Sequence, residues 1–319
     1  MIKRTIEISR EPAHLTVRLG QLILERHGET VGSIPCEDIG MVLVDHAGTT
    51  YTHAALERLA AVDAAVVVCG RDHLPAGILL PLADHHQVVW RIKDQIALTK
   101  PLRKQLWKQI VQAKIRAQAA NLSPGPARTK LLVLAREVRS GDPANAEAQA
   151  AKIYWAAFFS NIVFRRDRNG DGPNPLLNYG YAVLRAAIAR AIVAGGFLPA
   201  LGIHHTNRSN MFCLADDLIE PLRPLVDRLV KTLLDEGRTE LDQPTKAALL
   251  ELLTWEMKFG AQTGPLMVNL HRYVTSLGEC YAGESKQLEF PVALDSSLAL
   301  DPPTDQAQGE VIASVESEI

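Results

Sequence analysis

The period of the hydrophobic pattern changes once along this chain, between residues 81 and 90. That change limits the folds open to it more than any other feature. Up to residue 80 the apolar segments are short and β-branched, and several alternate: RTIEIS, HLTVRLGQLILE, IGMVLVD and AAVVVCG. Alternation of this kind, bounded by turns such as Arg26-His27-Gly28 and Asp45-His46-Ala47-Gly48, predicts strands. One helix fits among them at THAALERLAAVD, with Thr52 as its N-cap. After PLADHHQVVW (81–90) the pattern is helical, in segments near 90–120, 126–139, 143–168, 176–195, 212–236, 243–258 and 266–283. Gly and Pro punctuate it at Ser123-Pro124-Gly125, Gly170-Asp171-Gly172-Pro173, Gly195-Gly196 and Gly260. The pattern predicts an α+β protein. Residues 1–80 form a β-rich N-terminal domain, 81–90 a linker and 91–291 a larger all-helical C-terminal domain. Residues 292–319, rich in Pro, Ser, Asp and Gln, form an acidic tail expected to be disordered.

A chain of 319 residues with 47% hydrophobic content can bury a sizeable core. No apolar run approaches the roughly 18 residues of a membrane span, so no membrane partner is expected. The start, MIKRTIEISREP, lacks an apolar stretch after its basic residues and does not read as a secretory signal. Cys36, Cys69, Cys213 and Cys280 are widely spaced with no CxxC pair, and read as buried thiols of a cytoplasmic protein. The formal charge of −2 hides an asymmetry: after Lys286 there is no base, while Glu289, Asp295, Asp301, Asp305, Glu310, Glu316 and Glu318 are all acids. The body is therefore mildly basic, which is compatible with a polyanionic partner.

Residues 202–224, GIHHTNRSNMFCLADDLIEPLRP, concentrate the chemistry. His204 and His205 stand in a short polar stretch ahead of a helical segment. On that helix Asp216, Asp217 and Glu220 are neighbours by their spacing. Carboxylates this close repel one another unless a cation lies among them, and imidazole with carboxylate suits Mn²⁺ or Mg²⁺. A solvated acidic turn beside a loop histidine pair is the alternative.

Three further stretches carry functional residues. Residues 91–116 hold eight bases (Arg91, Lys93, Lys100, Arg103, Lys104, Lys108, Lys114 and Arg116) against one acid, Asp94, with Trp107 among them. They form either a solvated face or a surface that tracks phosphates without sequence specificity. In DPANAEAQAAKIYWAAFF (142–159), Asp142 reads as the N-cap and Pro143 as the first helical residue. Glu147 then shares a stripe with Ala151, Tyr154 and Phe158, and is either a metal ligand or a wet helix end. In NPLLNYGYAVLRAAIARAIVAGG (174–196), Asn178 and Tyr179 either contact phosphate or bond within the core.

Taken in order, the carboxylate of E-x-x-x-A-x-x-Y-W (147–155), LNYGYAVLR (177–185), LGIHH (201–205) and DDLIEPLRP (216–224) resemble CRISPR-associated protein one, the integrase subunit of spacer acquisition. The doubled histidine and ADDLIEP look most like the type II form. The resemblance runs from residue 1 to about 291 and includes WKQIVQAKIRAQA (107–119) and GESKQLEFP (283–291). It implies an N-terminal β-sandwich, a helical C-terminal domain and a homodimer joined through the β-domains. It also implies partners: DNA (a prespacer fragment and the CRISPR repeat), a dimer of the small ferredoxin-like adaptation subunit, and other type II CRISPR proteins. It places catalytic Mg²⁺ or Mn²⁺ ligands at Glu147, His205 and Glu220, with Asp217 and His204 beside them. Arg223 is either a cation for a phosphate oxygen or the ion-pair partner of an acid on its own helix, and Lys104, Lys108, Lys114, Asn178 and Tyr179 are the candidate DNA contacts. The implied reaction is transesterification by a 3′-hydroxyl. A nuclease without strand transfer and a non-catalytic DNA-binding scaffold are the rival readings.

Overall fold

The computed structural model of the chain describes residues 3–71, 73–82 and 85–294. Strands β1 (Arg4–Ile8), β2 (His14–Arg18), β3 (Gln21–Arg26), β4 (Glu29–Pro35), β5 (Ile39–Val44) and β6 (Thr50–Tyr51) precede helix α1 (His53–Ala61), which is followed by β7 (Ala65–Cys69) and β8 (Pro75–Leu79). They make two four-stranded sheets, ordered β1-β5-β7-β8 and β4-β3-β2-β6. β1, β5 and β7 run parallel, with α1 as the crossover from β5 to β7. Strands β2 to β4 form an antiparallel meander, with His27 and Gly28 both at positive φ in the tight turn between β3 and β4. Thr52 caps α1 as its sequence predicts, its hydroxyl accepting from the Ala55 N–H at 3.2 Å.

The alternation along β5 explains how this domain meets the rest. All six of its residues are buried. Val42 and Val44 point into the core between the two sheets, with Ile8, Leu15 and Val66. Met41 and Leu43, with Ala65 and Val67 of β7, join the core of the helical half instead. The change of period near residue 81 is thus a boundary in sequence but not in packing: one sheet serves two cores, because successive side chains of a strand face opposite ways.

The second half contains α2 (Val88–Ala97), α3 (Lys100–Ala120), α4 (Pro126–Glu137), α5 (Ala146–Phe158), α6 (Asn174–Ala194) and α7 (Cys213–Ile219), a 3-10 turn (Glu220–Leu222), α8 (Arg223–Asp235) and α9 (Gln243–Glu251). The hairpin β9 (Glu256–Phe259) and β10 (Gln262–Pro265), helix α10 (Leu266–Ala282) and β11 (Val292–Ala293) complete it. α6 is its axis. This helix is long and apolar enough to cross a membrane by composition, but 78% of its most apolar window is buried inside the protein, as for the central helix of a bundle.

Several boundaries differ from expectation, each for a local reason. The 90–120 segment divides at Leu98, where the Thr99 hydroxyl and Pro101 start a new helix. α5 begins at Ala146 with Asn145, not Asp142, as N-cap. Asp142 still serves that end, accepting from the Ala146 and Glu147 N–H groups at 2.8 and 3.0 Å. Residues 256–258 are strand rather than helix, because Gly260, at φ 56°, turns the chain back into a hairpin. The C-terminal half is therefore mostly but not wholly helical. Val292 and Ala293 pair with β9 and are not part of a disordered tail. The rest of the expected tail, residues 295–319, lies outside the described residues.

Candidate active site

Pro221 and Pro224 break the segment 213–235 in its middle. Neither can donate to a helical ladder, and each ring crowds the carbonyl four residues before it, so the chain passes through the 3-10 turn at Glu220–Leu222. The three acids of DDLIE do not cluster. Asp216 turns to Arg185, which donates to its two oxygens at 2.7 and 3.0 Å and also bonds Asn210 at 2.8 Å. Asp217 turns beneath the histidine loop. Glu220 turns to Lys114 of α3 and to Arg223. Asp217 is fully buried and Glu220 is 6% exposed, which does not support a solvated acidic turn.

Asp217 organises the histidines. Its carboxylate accepts the backbone N–H groups of Ile203 (2.6 Å), His204 (3.0 Å) and His205 (3.1 Å), and lies 2.7 Å from His205 Nδ1. Gly202 makes this approach possible: a Cβ there would stand 2.8 Å from Asp217 Oδ2 and would collide with the His205 carbonyl. With Nδ1 held by the carboxylate, Nε2 is the nitrogen His205 has left to bind a ligand. The hydrogen bond to Asp217 raises the His205 pKa against the opposing effect of burial, with help from the charges of Asp217, Glu220 and Asp216. His204 stacks on the Trp107 indole at 4.1 Å between ring centres, and His205 meets the same indole edge-on.

Glu147 enters in the first turn of α5. Its Oε1 and Glu220 Oε2 both lie 2.5 Å from Lys114 Nζ, so the two carboxylates converge on one cationic atom. Burial alone would raise the Glu220 carboxyl, but the charges of Arg223 and Lys114 outweigh it and lower its pKa to about 2. The Lys114 ammonium, which burial would destabilise, is held above its ordinary value by Glu220 and Glu147. Among the described residues no three His, Cys, Asp or Glu side chains close around a single point. The donor types nevertheless fit a hard divalent cation: two convergent carboxylates, and an imidazole oriented by a third.

Lys114 was expected on a DNA-facing surface and is not there. It lies on the buried stripe of α3 with Trp107, Ile110 and Val111, a position its spacing from them could have revealed. Tyr179 is likewise fully buried and cannot touch DNA. Asn178 supports arginines: its side chain accepts from Arg166 at 2.7 Å and donates to the Arg168 carbonyl at 2.7 Å. Of the other bases in 91–116, Arg91 lies over the Phe197 ring and Arg103 reaches the Gly202 carbonyl. Lys104 is exposed and Lys108 half-buried.

Neither the arginine cleft nor the role of Asp227 is legible in the residue pattern. The cleft, of about 690 Å³, runs between β8 and α6 and is lined by Arg166, Arg168, Arg185, Arg223 and His205. Arg223 and Arg166 lie over the Tyr181 ring at 4.6 and 5.3 Å. The Tyr181 hydroxyl donates to Asp227, a fully buried acid. Burial lifts the Asp227 carboxyl to about 7, against the pull of Tyr181, Tyr154, Arg223 and Lys114. Since its folded pKa exceeds the unfolded value of about 3.9, folding takes up a proton here. This contribution to stability is complete below about pH 4 and is lost as the pH rises towards 7. Urea unfolding between those limits will show this falling component in the parent protein, and Asp227→Asn will remove it. Identical profiles for the two proteins would contradict the assignment.

Fold and site together define an α+β protein whose carboxylate-anchored imidazole faces an arginine-lined cleft, a combination suited to phosphodiester ligands. Residues 6–251 match the family model described as CRISPR associated protein Cas1, and the chain belongs to that family. It is 38% identical over 286 residues to the CRISPR-associated endonuclease Cas1 of Neisseria meningitidis serogroup C (strain 8013), covering 88% of this chain and 93% of that one. Among solved structures, a casposase bound to integration product superposes with a TM-score of 0.74 at 18% identity, covering 89% of this chain and 92% of its own. A chain of a Cas6-RT-Cas1–Cas2 complex superposes with a TM-score of 0.73 at 17% identity, over 93% of this chain and 36% of that longer one. At such identities these two likenesses concern the fold.

Proposed function

We propose that this chain is a divalent-metal-dependent DNA endonuclease and integrase of CRISPR adaptation, acting in the cytoplasm. One observation carries the reading: Glu147 and Glu220, brought from different elements, converge on one cationic atom, and the charge of Glu220 acts on His205, whose Nδ1 is anchored on a buried carboxylate. Glu147, His205 and Glu220 would hold Mg²⁺ or Mn²⁺, which when bound lowers the pKa of a hydroxyl and neutralises charge on phosphate oxygens. Arg223, 2.9 Å from Glu220 and on the wall of the cleft, is placed to meet a non-bridging oxygen. Arg166, Arg168 and Arg185 would hold the DNA backbone beside it. The 3′-hydroxyl of a short fragment attacks phosphorus in the repeat. A new 3′-O–P bond forms as the P–O bond to the repeat's own 3′-oxygen breaks; the attacking hydroxyl gives its proton to solvent and the leaving oxygen takes one up, becoming a free 3′-hydroxyl. The name of the Neisseria relative and the integration product held by the casposase favour this chemistry.

The partners follow the same reading: a homodimer through the β-domains, and two such dimers flanking a dimer of the small ferredoxin-like subunit. The Cas1–Cas2 assembly of a structural neighbour supports it. The test is strand transfer of a labelled duplex into a repeat-bearing plasmid, with the small subunit added, in Mg²⁺, Mn²⁺ or chelator. Joined product that needs metal is the expected result. Cutting without joining would point to a nuclease, and neither to a scaffold.

For DNA affinity, exposed Lys104 and half-buried Lys108 remain as candidate contacts on the basic helix. Reversing both to Glu is expected to lower the slope of log affinity against log salt by roughly 0.9 per lost phosphate contact. A slope equal to that of the parent would show that this face is merely solvated.

A further inference from the structure

Lys114 is the least expected residue of the site. Its helix is fixed by the buried side chains of Trp107, Ile110, Ile115 and Gln118, so its backbone has little freedom. Its ammonium bridges Glu147 Oε1 and Glu220 Oε2, while the other Glu220 oxygen accepts from Arg223. The oxygens it bridges belong to the carboxylates that would bind the cation under the function proposed above, on which this inference rests. We propose that Lys114 is a built-in counter-cation: it holds the two glutamates together in metal-free protein, and a divalent ion enters by displacing its ammonium from them. A buried and a half-buried carboxylate held together without a cation would repel each other and bear part of the cost of desolvation. Lysine suits this role better than arginine, because its point charge on a flexible four-carbon stem can withdraw without rearrangement of the helix.

The experiment uses the full chain and Mn²⁺ as probe, with binding measured by calorimetry and melting followed with and without the ion. Lys114→Met keeps the length and apolar stem but removes the charge. It is expected to melt lower than the parent without metal, to bind Mn²⁺ about tenfold tighter or more, and to gain more in Tm on adding it. Lys114→Arg, with a permanent two-pronged charge, is expected to bind Mn²⁺ more weakly than the parent. Unchanged or weaker Mn²⁺ binding by Lys114→Met overturns the proposal. If that variant does not fold, equal or tighter binding by Lys114→Arg overturns it. Glu147→Gln separates the two levels of inference. Parental Mn²⁺ binding in Glu147→Gln removes the metal site itself, and the role of Lys114 with it. Binding lost in Glu147→Gln but unchanged in Lys114→Met removes only the latter.

Discussion

Alanine at Glu147, His205 or Glu220 is expected to abolish strand transfer, a loss on the order of 10³-fold or more if the bound cation contributes several kcal/mol to the transition state. The three variants should differ in stability, and the structure gives the order. Removing crowded acids by itself relieves repulsion, so the sequence suggests neutral or stabilising effects. The contacts predict otherwise. Glu220 is buried against Lys114 and Arg223, so Glu220→Ala leaves two cations short of a partner and is expected to cost about 3–5 kcal/mol. Glu147 is about a quarter exposed and, among the described residues, pairs with Lys114 alone, so its loss should cost less. His205→Ala should cost least, since its neighbour Asp217 keeps three backbone donors. His204→Ala removes a stack on Trp107 and should leave most of the activity. A dead His204 variant beside an active His205 variant would mean that the histidine assignment is off by one. Melting curves in chelator, run alongside the plasmid assay, read both effects.

Asp217→Ala is expected to be as damaging to activity as loss of a ligand, although this carboxylate faces away from the cleft. It would orphan the N–H groups of residues 203–205 and free the His205 ring to turn. At about 1–3 kcal/mol for each donor left buried and unmatched, the loss of stability should reach about 3 kcal/mol. Asp217→Asn is the sharper test. It keeps the shape but puts an N–H₂ group among hydrogen-bond donors and no longer fixes the imidazole tautomer. Metal affinity and strand transfer should each fall about 10–100-fold, the range found for carboxylates that orient a ligating histidine. Backbone exchange at His204 and His205 should quicken in both variants. Parental metal affinity and exchange rates in Asp217→Asn would refute this role.

The ordered motifs identified the family, and the period of the apolar residues located the two halves. The sequence also suggested His205 and the acids around it. What it could not show was direction. Their helical spacing makes Asp216, Asp217 and Glu220 neighbours, but each acid meets a different partner: Arg185, the histidine loop and Lys114. The eight bases of 91–116 read as one charged surface, yet Lys114 sits on the apolar stripe and belongs to the site.

By itself, then, the sequence determined what depends on neighbours along the chain: alternation in the strands, the Thr52 cap, the turn at His27-Gly28, and which residue types are present in which order. Tertiary structure alone decided what depends on distant segments meeting. Lys114 is 33 residues from Glu147 and 106 from Glu220, and no local rule brings their oxygens to one nitrogen. Asp227 is an ordinary acid of an amphipathic helix until Tyr181, 46 residues earlier, bonds to it in a dry interior. Burial and charge pairing set the ionisation of such groups, and both are properties of the packed interior rather than of the chain.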